Sequence, residues 1–145
     1  MTVVTFTGGR FVTIDNATLE ETSAVRWARR ITDYFAISDR WDFASFGDYL
    51  SRDVEFRFAN NAPIEGLEAM LEFAAQHKNA VKSVQHTFNS FYTDLDQRTV
   101  VVELRVRYIQ LDDTTSEYPA AVVLTFNTDD LIDGYHVYVD LSGLH

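Results

Sequence analysis

Of the four histidines in this chain, only His86 sits inside a strand-like apolar run, Val84-Gln85-His86-Thr87-Phe88-Asn89. Strand alternation would put Val84, His86, Phe88 and Ser90 on one face, so the imidazole would point into an apolar interior. An imidazole in such a place has its charged form disfavoured by desolvation, and as a neutral base it can take a proton from a carbon acid or a hydroxyl. That chemistry serves isomerisation, aldol-type cyclisation or elimination. The other reading is structural, with His86 bonded within the core to Tyr34, Tyr108 or a backbone carbonyl. Tyr34, on the first helix of the chain, reads on its own as helix packing with a bonded hydroxyl. Asp33 is its neighbour, but adjacent side chains on a helix diverge, so Asp33 should face water.

Other chemistries are poorly supplied. His77, His86, His136 and His145 show neither paired ligand spacing nor an HExxH pattern, so no metal site is expected. There is no cysteine, which excludes disulfides, thiolate nucleophiles and zinc-thiolate sites. No phosphate-binding glycine loop, nucleophile elbow or dinucleotide fingerprint occurs, and no cofactor is implied. A formal charge of -10 would repel nucleic acid and anionic membrane surfaces. Arg26, Arg29 and Arg30 cluster, but at helical spacing they read as one solvated or salt-bridged face. Nothing approaches the roughly 18 apolar residues of a membrane span, and a cytoplasmic protein is the expectation.

The elements that must position these groups follow from periodicity. Gly8-Gly9 between two β-like runs predicts a hairpin, an N-terminal β-arm over residues 1–17 of a single 1–145 domain. Thr18 and Glu21 suggest a capping box for a first helix that buries Val25, Ala28, Ile31, Tyr34 and Phe35 and ends near Ser38. Asp42 would cap a short second helix with Phe43, Phe46, Tyr49 and Leu50. A strand over 54–58 precedes a third helix from Gly66 to about His77. Long β segments follow at about 82–93, 99–111, 118–127 and 132–140. Helices first and long antiparallel strands afterwards predict an α+β fold, three N-terminal helices in the concave face of a strongly curved, mainly antiparallel sheet. Such a half-cone has a cavity at its mouth. Ala121–Phe126 is apolar on both faces, which predicts a homodimer through the outer sheet face.

This order of elements resembles the nuclear transport factor 2-like (NTF2-like) superfamily, close to the SnoaL-like polyketide cyclases, over about residues 20 to 141. The marks are Tyr34–Asp42 (YFAISDRWD), Asp53-Val54-Glu55-Phe56, Pro63-Ile64-Glu65-Gly66, His86 with Asn89, and Tyr138-Val139-Asp140. The resemblance implies a cone-like, cystatin-like barrel and a conical pocket. The catalytic tyrosine of ketosteroid isomerases falls on Tyr34, with Asp39 and Asp42 following, but the position of their carboxylate base holds Phe58. The Arg and two Asp of limonene epoxide hydrolases fall on Leu104, Val106 and Val137. Scytalone dehydratase is similar at Gln85-His86, while its second histidine falls near Tyr108 and its Tyr-Asp pair near Ala36-Ile37.

Strand parity and the resemblance together define the expected site. Val102, Leu104, Val106 and Tyr108 share one face of their strand, and Glu103, Arg105 and Arg107 the other. His86 and Tyr34 are the expected catalytic pair, with Phe56, Phe58, Phe88, Val106, Tyr108, Tyr135 and Val137 as substrate-binding walls. His136 should face away from Tyr135 and Val137. The resemblance implies a cofactor-independent cyclase, isomerase or dehydratase for a hydrophobic small molecule in polyketide or terpenoid secondary metabolism. The alternative is a non-catalytic ligand-binding or dimerisation module, favoured by the missing carboxylates.

Overall fold

The computed structural model describes residues 1–13 and 22–142. Two α-helices pack in the hollow of one eight-stranded sheet of order β2-β1-β5-β6-β7-β8-β3-β4. The strands are β1 (Thr2–Thr7), β2 (Arg10–Thr13), β3 (Leu50–Phe58), β4 (Ile64–Glu65), β5 (Val81–Asp94), β6 (Thr99–Gln110), β7 (Thr115–Phe126) and β8 (Ile132–Val139). Every neighbouring pair is antiparallel except β3 and β8. Register shifts within β5 and between β7 and β8 insert unpaired residues, and such bulges bend strands and increase twist. The sheet therefore curls around the helices without closing.

Helix α1 (Ser23–Asp39) buries Ala24, Trp27, Ala28, Ile31, Tyr34, Phe35 and Ile37, a stripe at helical spacing. Its N-cap is Thr22, whose side chain accepts from the Val25 N–H at 3.3 Å; Thr18 and Glu21 lie outside the described residues. The expected set of three N-terminal helices needs correction. The second is a six-residue 3₁₀ helix, Phe43–Asp48, and helix α2 (Leu67–Ala80) comes only after two strands. Asp42 precedes the 3₁₀ segment, but its carboxylate accepts the Ser45 hydroxyl (2.8 Å) and no backbone N–H. Gly47, near the end of this short run, disfavours an α-helix, and six residues close as 3₁₀ turns.

The β-arm forms the expected hairpin, with Gly8 and Gly9 both at positive φ (60° and 77°). Over residues 1–13 it extends the sheet. Strand β1 pairs with Ser90–Thr93 of β5, Val4 is fully buried, and Phe11 meets Phe91 at 5.9 Å. None of residues 1–13 lines the main cavity; 14–17 lie outside the described residues.

One buried group near the arm is left unpaired. Thr93 is 0 % exposed, and its Oγ1 has no hydrogen-bond partner among the described residues. An unsatisfied buried hydroxyl costs about 1–3 kcal/mol. Thr93→Val keeps the β-branched shape and should stabilise the fold by about 1 kcal/mol, a rise of roughly 3 °C in the thermal midpoint. An unchanged or lower midpoint would show that the hydroxyl is satisfied.

No helix among the described residues is long and apolar enough to cross a membrane.

Candidate active site

The last turn of α1 and the first half of β5 build the centre of the site. Phe35 and Asp39 are one helical turn apart on the same face, and both meet His86. The Phe35 and His86 rings lie 4.5 Å apart. Asp39 Oδ1 is 2.7 Å from His86 Nδ1, and Asp39 Oδ2 accepts the His86 backbone N–H at 3.0 Å. Both side chains are largely withdrawn from water, at 16 % and 21 % exposure. An ionised carboxylate only accepts, so Nδ1 carries the proton and Nε2 is left as the basic nitrogen. Among the described residues Nε2 has no partner. A carboxylate on the last residue of a helix opposes the macrodipole, and the two hydrogen bonds it accepts from His86 offset that placement.

Tyr34 and Ser38, again a turn apart, present a second polar edge. The Tyr34 hydroxyl bonds with Tyr135 and Ser38, and burial pushes its pKa well up. Tyr135 is raised in the same way by burial, with Tyr34 and Asp39 adding to it. Tyr108 is pushed up to about 12, chiefly by burial, with Tyr118 and Asp39 contributing. All three phenols therefore stay protonated and act as hydrogen-bond donors. Tyr135 is fixed by parallel pairing with Phe56 across β8 and β3, their rings edge-on at 4.8 Å.

Around these groups lies an aromatic cavity of about 80 Å³. Tyr34, Phe56, Phe58, His86, Val106, Tyr108, Tyr135 and Val137 line it. Phe88 does not. It packs behind, against Phe35 (5.6 Å) and Phe91 (5.8 Å). The parity argument fails at Asn89, where the β5–β6 register slips between Phe88 and Ser90. Beyond that bulge Phe91 and Thr93 face inward, and Ser90 pairs outward with Glu103. Strand β6 keeps its parity, with Val102, Leu104, Val106 and Tyr108 buried and Glu103, Arg105 and Arg107 exposed. Asp33 is exposed, and His136 bonds Glu55 (3.0 Å) away from the cavity.

Four cavity residues that bear on the chemistry were not among the sequence candidates: Ser38, Asp39, Trp41 and His77. Asp39 was visible only as a position after Tyr34. Trp41 follows the helix in the left-handed region (φ 59°), normally a glycine's place. His77 extends the helical stripe of Met70, Phe73 and Ala74, a signal that reads as core. No cluster of residues suited to hold a metal ion occurs among the described residues.

Comparison with known proteins bears on the same elements. A SnoaL-like domain model matches residues 31–135, from the middle of α1 to Tyr135. The chain belongs to the SnoaL-like family. No curated protein sequence matches it. An NTF2-like protein of unknown function from Burkholderia pseudomallei superposes with a TM-score of 0.73 at 11 % identity, over 81 % of this chain and 93 % of that one. An LEH-like epoxide hydrolase from M. tuberculosis gives 0.71 at 14 %, over 83 % and 86 %. The epoxide hydrolase/cyclase-like enzyme SalBIII, described in pyran ring formation in the polyether salinomycin, gives 0.71 at 16 %, over 81 % and 92 %. At such identities the likeness establishes the NTF2-like fold. The SnoaL-like family includes members with and without known chemistry, so function has to be argued from the site.

Proposed function

We propose that this SnoaL-like protein is a cofactor-independent enzyme that moves a proton on a hydrophobic carbonyl compound, an isomerase, cyclase or dehydratase of polyketide or terpenoid metabolism. The observation that carries this reading is the Asp39–His86 pair, 2.7 Å apart at Oδ1 and Nδ1. In this assignment His86 Nε2 takes a proton from the carbon next to the carbonyl. Asp39 holds the tautomer and stabilises the imidazolium that forms. Tyr34, backed by Tyr135 and Ser38, donates to the oxygen as negative charge develops on it. The base absent at the isomerase position, Phe58, is His86 in this reading, with a carboxylate supplied from the helix by Asp39, and this weakens the case for a non-catalytic module. A space of about 80 Å³ is below the few hundred Å³ usual for a ligand pocket. It suits a small group or one end of a longer molecule, with rings admitted by movement of the aromatic walls.

The test needs no natural substrate. Small ketones such as cyclohexanone, incubated with the protein in D₂O, should exchange their α-hydrogens faster than the buffer rate, read by loss of the proton NMR signal. No acceleration across a series of small hydrophobic ketones would sink the proposal.

Homodimerisation is part of the same reading. Val101, Ala121 and Val123 lie on the outer sheet face, half-buried, Val101 paired with Val123 and Ala121 with the 53 %-exposed Tyr138. A partner would complete their burial. Sedimentation at micromolar concentration should give about twice the 16.6 kDa chain mass. A clean monomer would refute this assembly.

A further inference from the structure

His77 is the second imidazole of the cavity, and the chemistry assigned to Asp39 and His86 does not use it. It comes from the last turn of α2, half-buried among rings. It stacks on Phe73 (6.3 Å, 7°), meets Trp41 at 6.1 Å and Phe58 at 6.4 Å, and touches Tyr108 edge-on at 5.8 Å. A phenylalanine would satisfy every one of those contacts. What the imidazole adds is two polar nitrogens, and neither has a hydrogen-bond partner among the described residues. The hydroxyl of Tyr108, whose ring meets it at 5.8 Å, has none either, although Tyr108 is only 5 % exposed. Two residues in ring contact on one cavity wall, each with an unpartnered polar group, are arranged for something that enters the cavity.

The two polar regions are distinct. Tyr34 bonds Tyr135 and Ser38, whereas the ring contacts from Tyr135 to His77 run through Phe56 (4.8 Å) and then Phe73 (5.1 Å, 6.3 Å) or Phe58 (6.5 Å, 6.4 Å). Burial and the nearby His86 push the His77 pKa down, so its ring is neutral, with one donor and one acceptor. Next to the Tyr108 phenol it can both give to and take from a hydroxyl, or give to a carbonyl.

We propose that His77 and Tyr108 form a second oxygen-binding pole that selects substrates carrying two oxygen functions, a hydroxy-carbonyl or dicarbonyl compound. This rests on the reading that the cavity holds a carbonyl at Tyr34. His77 then determines specificity by bonding the second oxygen, and a compound lacking that oxygen leaves both groups unpaired.

Cyclohexanone and 3-hydroxycyclohexanone test the proposal, since they share one ring and differ by one hydroxyl. Their dissociation constants, measured by ligand-observed NMR, should favour the hydroxy compound about tenfold. In His77→Leu that preference should fall to about one, whatever the change in cyclohexanone affinity; His77→Gln, which keeps a donor and an acceptor, should retain part of it. Thermal midpoints confirm that each variant is folded. A preference that survives His77→Leu, or that is absent from the unsubstituted protein, overturns the second pole and leaves the Asp39–His86 chemistry standing. Binding with the expected preference but no α-hydrogen exchange overturns that chemistry instead. If neither ketone binds at about 10 mM, both fall together.

Discussion

Replacing His86 by glutamine should lower α-hydrogen exchange on a small ketone by about 10² to 10⁴, the usual contribution of a positioned acid-base group. The fold should lose little. A glutamine amide can still donate to the Asp39 carboxylate and lie against Phe35, which meets the imidazole at 4.5 Å. What it lacks is any basic atom in place of Nε2. A structural His86 predicts a different pattern. Exchange would then fall only in step with whatever stability is lost at the half-buried, 21 %-exposed Asp39 carboxylate, and not in a fully folded variant. Rate and thermal midpoint on one His86→Gln preparation separate the two. Full exchange by a stable variant would end the assignment of His86 as the base.

The ease with which His86 was found, and Asp39 missed, has a physical basis. A lone imidazole in an alternating apolar run is a local signal, carried by the strand period. The Asp39 contact spans 47 residues and depends on where α1 ends against a curved sheet, which no local pattern specifies. Resemblance placed Asp39 near a tyrosine but gave it no partner. Parity located Val106, Tyr108, Tyr135 and Val137 on the cavity wall because β6 and β8 carry no bulge across those residues. It misplaced Ser90 because one extra residue at Asn89 reverses every later side chain of β5, whereas Phe88, ahead of that residue, keeps the face of His86 but packs on Phe35 and Phe91 beyond the cavity. His77 was overlooked for the opposite reason. Its helical spacing with Phe73 made it look like core, and only the lack of any partner for its nitrogens marks it as something else.

The largest stability effect is expected at Asp130, far from the cavity, where the β7–β8 turn is tied to the start of α1. Its carboxylate accepts from the Trp27 indole N–H (2.9 Å), from Arg26 (2.9 Å) and from Arg98 (3.1 Å). Its backbone carbonyl accepts from Arg30 at 2.8 Å. The two guanidiniums on the carboxylate are 41 % and 35 % exposed, so their ion pairs are discounted for solvent screening. Trp27 is different: at 1 % exposure its N–H has no water to turn to. Asp130→Ala should therefore cost about 2–3 kcal/mol, mostly through that orphaned donor and the loosened turn. The Trp27 bond, with Arg26 and Arg98 adding to it, holds the Asp130 pKa below its ordinary 3.8. A lowered folded-state pKa means the unfolded chain takes up the proton first as pH falls. The stabilisation is then complete above about pH 4 and is lost progressively below it. The gap in unfolding free energy between the natural protein and Asp130→Ala should be flat from pH 5 to 8 and narrow below pH 4. Asp130→Asn keeps an acceptor for Trp27 but cannot titrate, so its own gap isolates the charge. No partner of Asp130 lines the cavity, and ketone exchange by either variant should be unchanged wherever it is fully folded. A gap that stays constant down to pH 2 would show that the carboxylate's charge contributes nothing and that the turn is held by geometry alone.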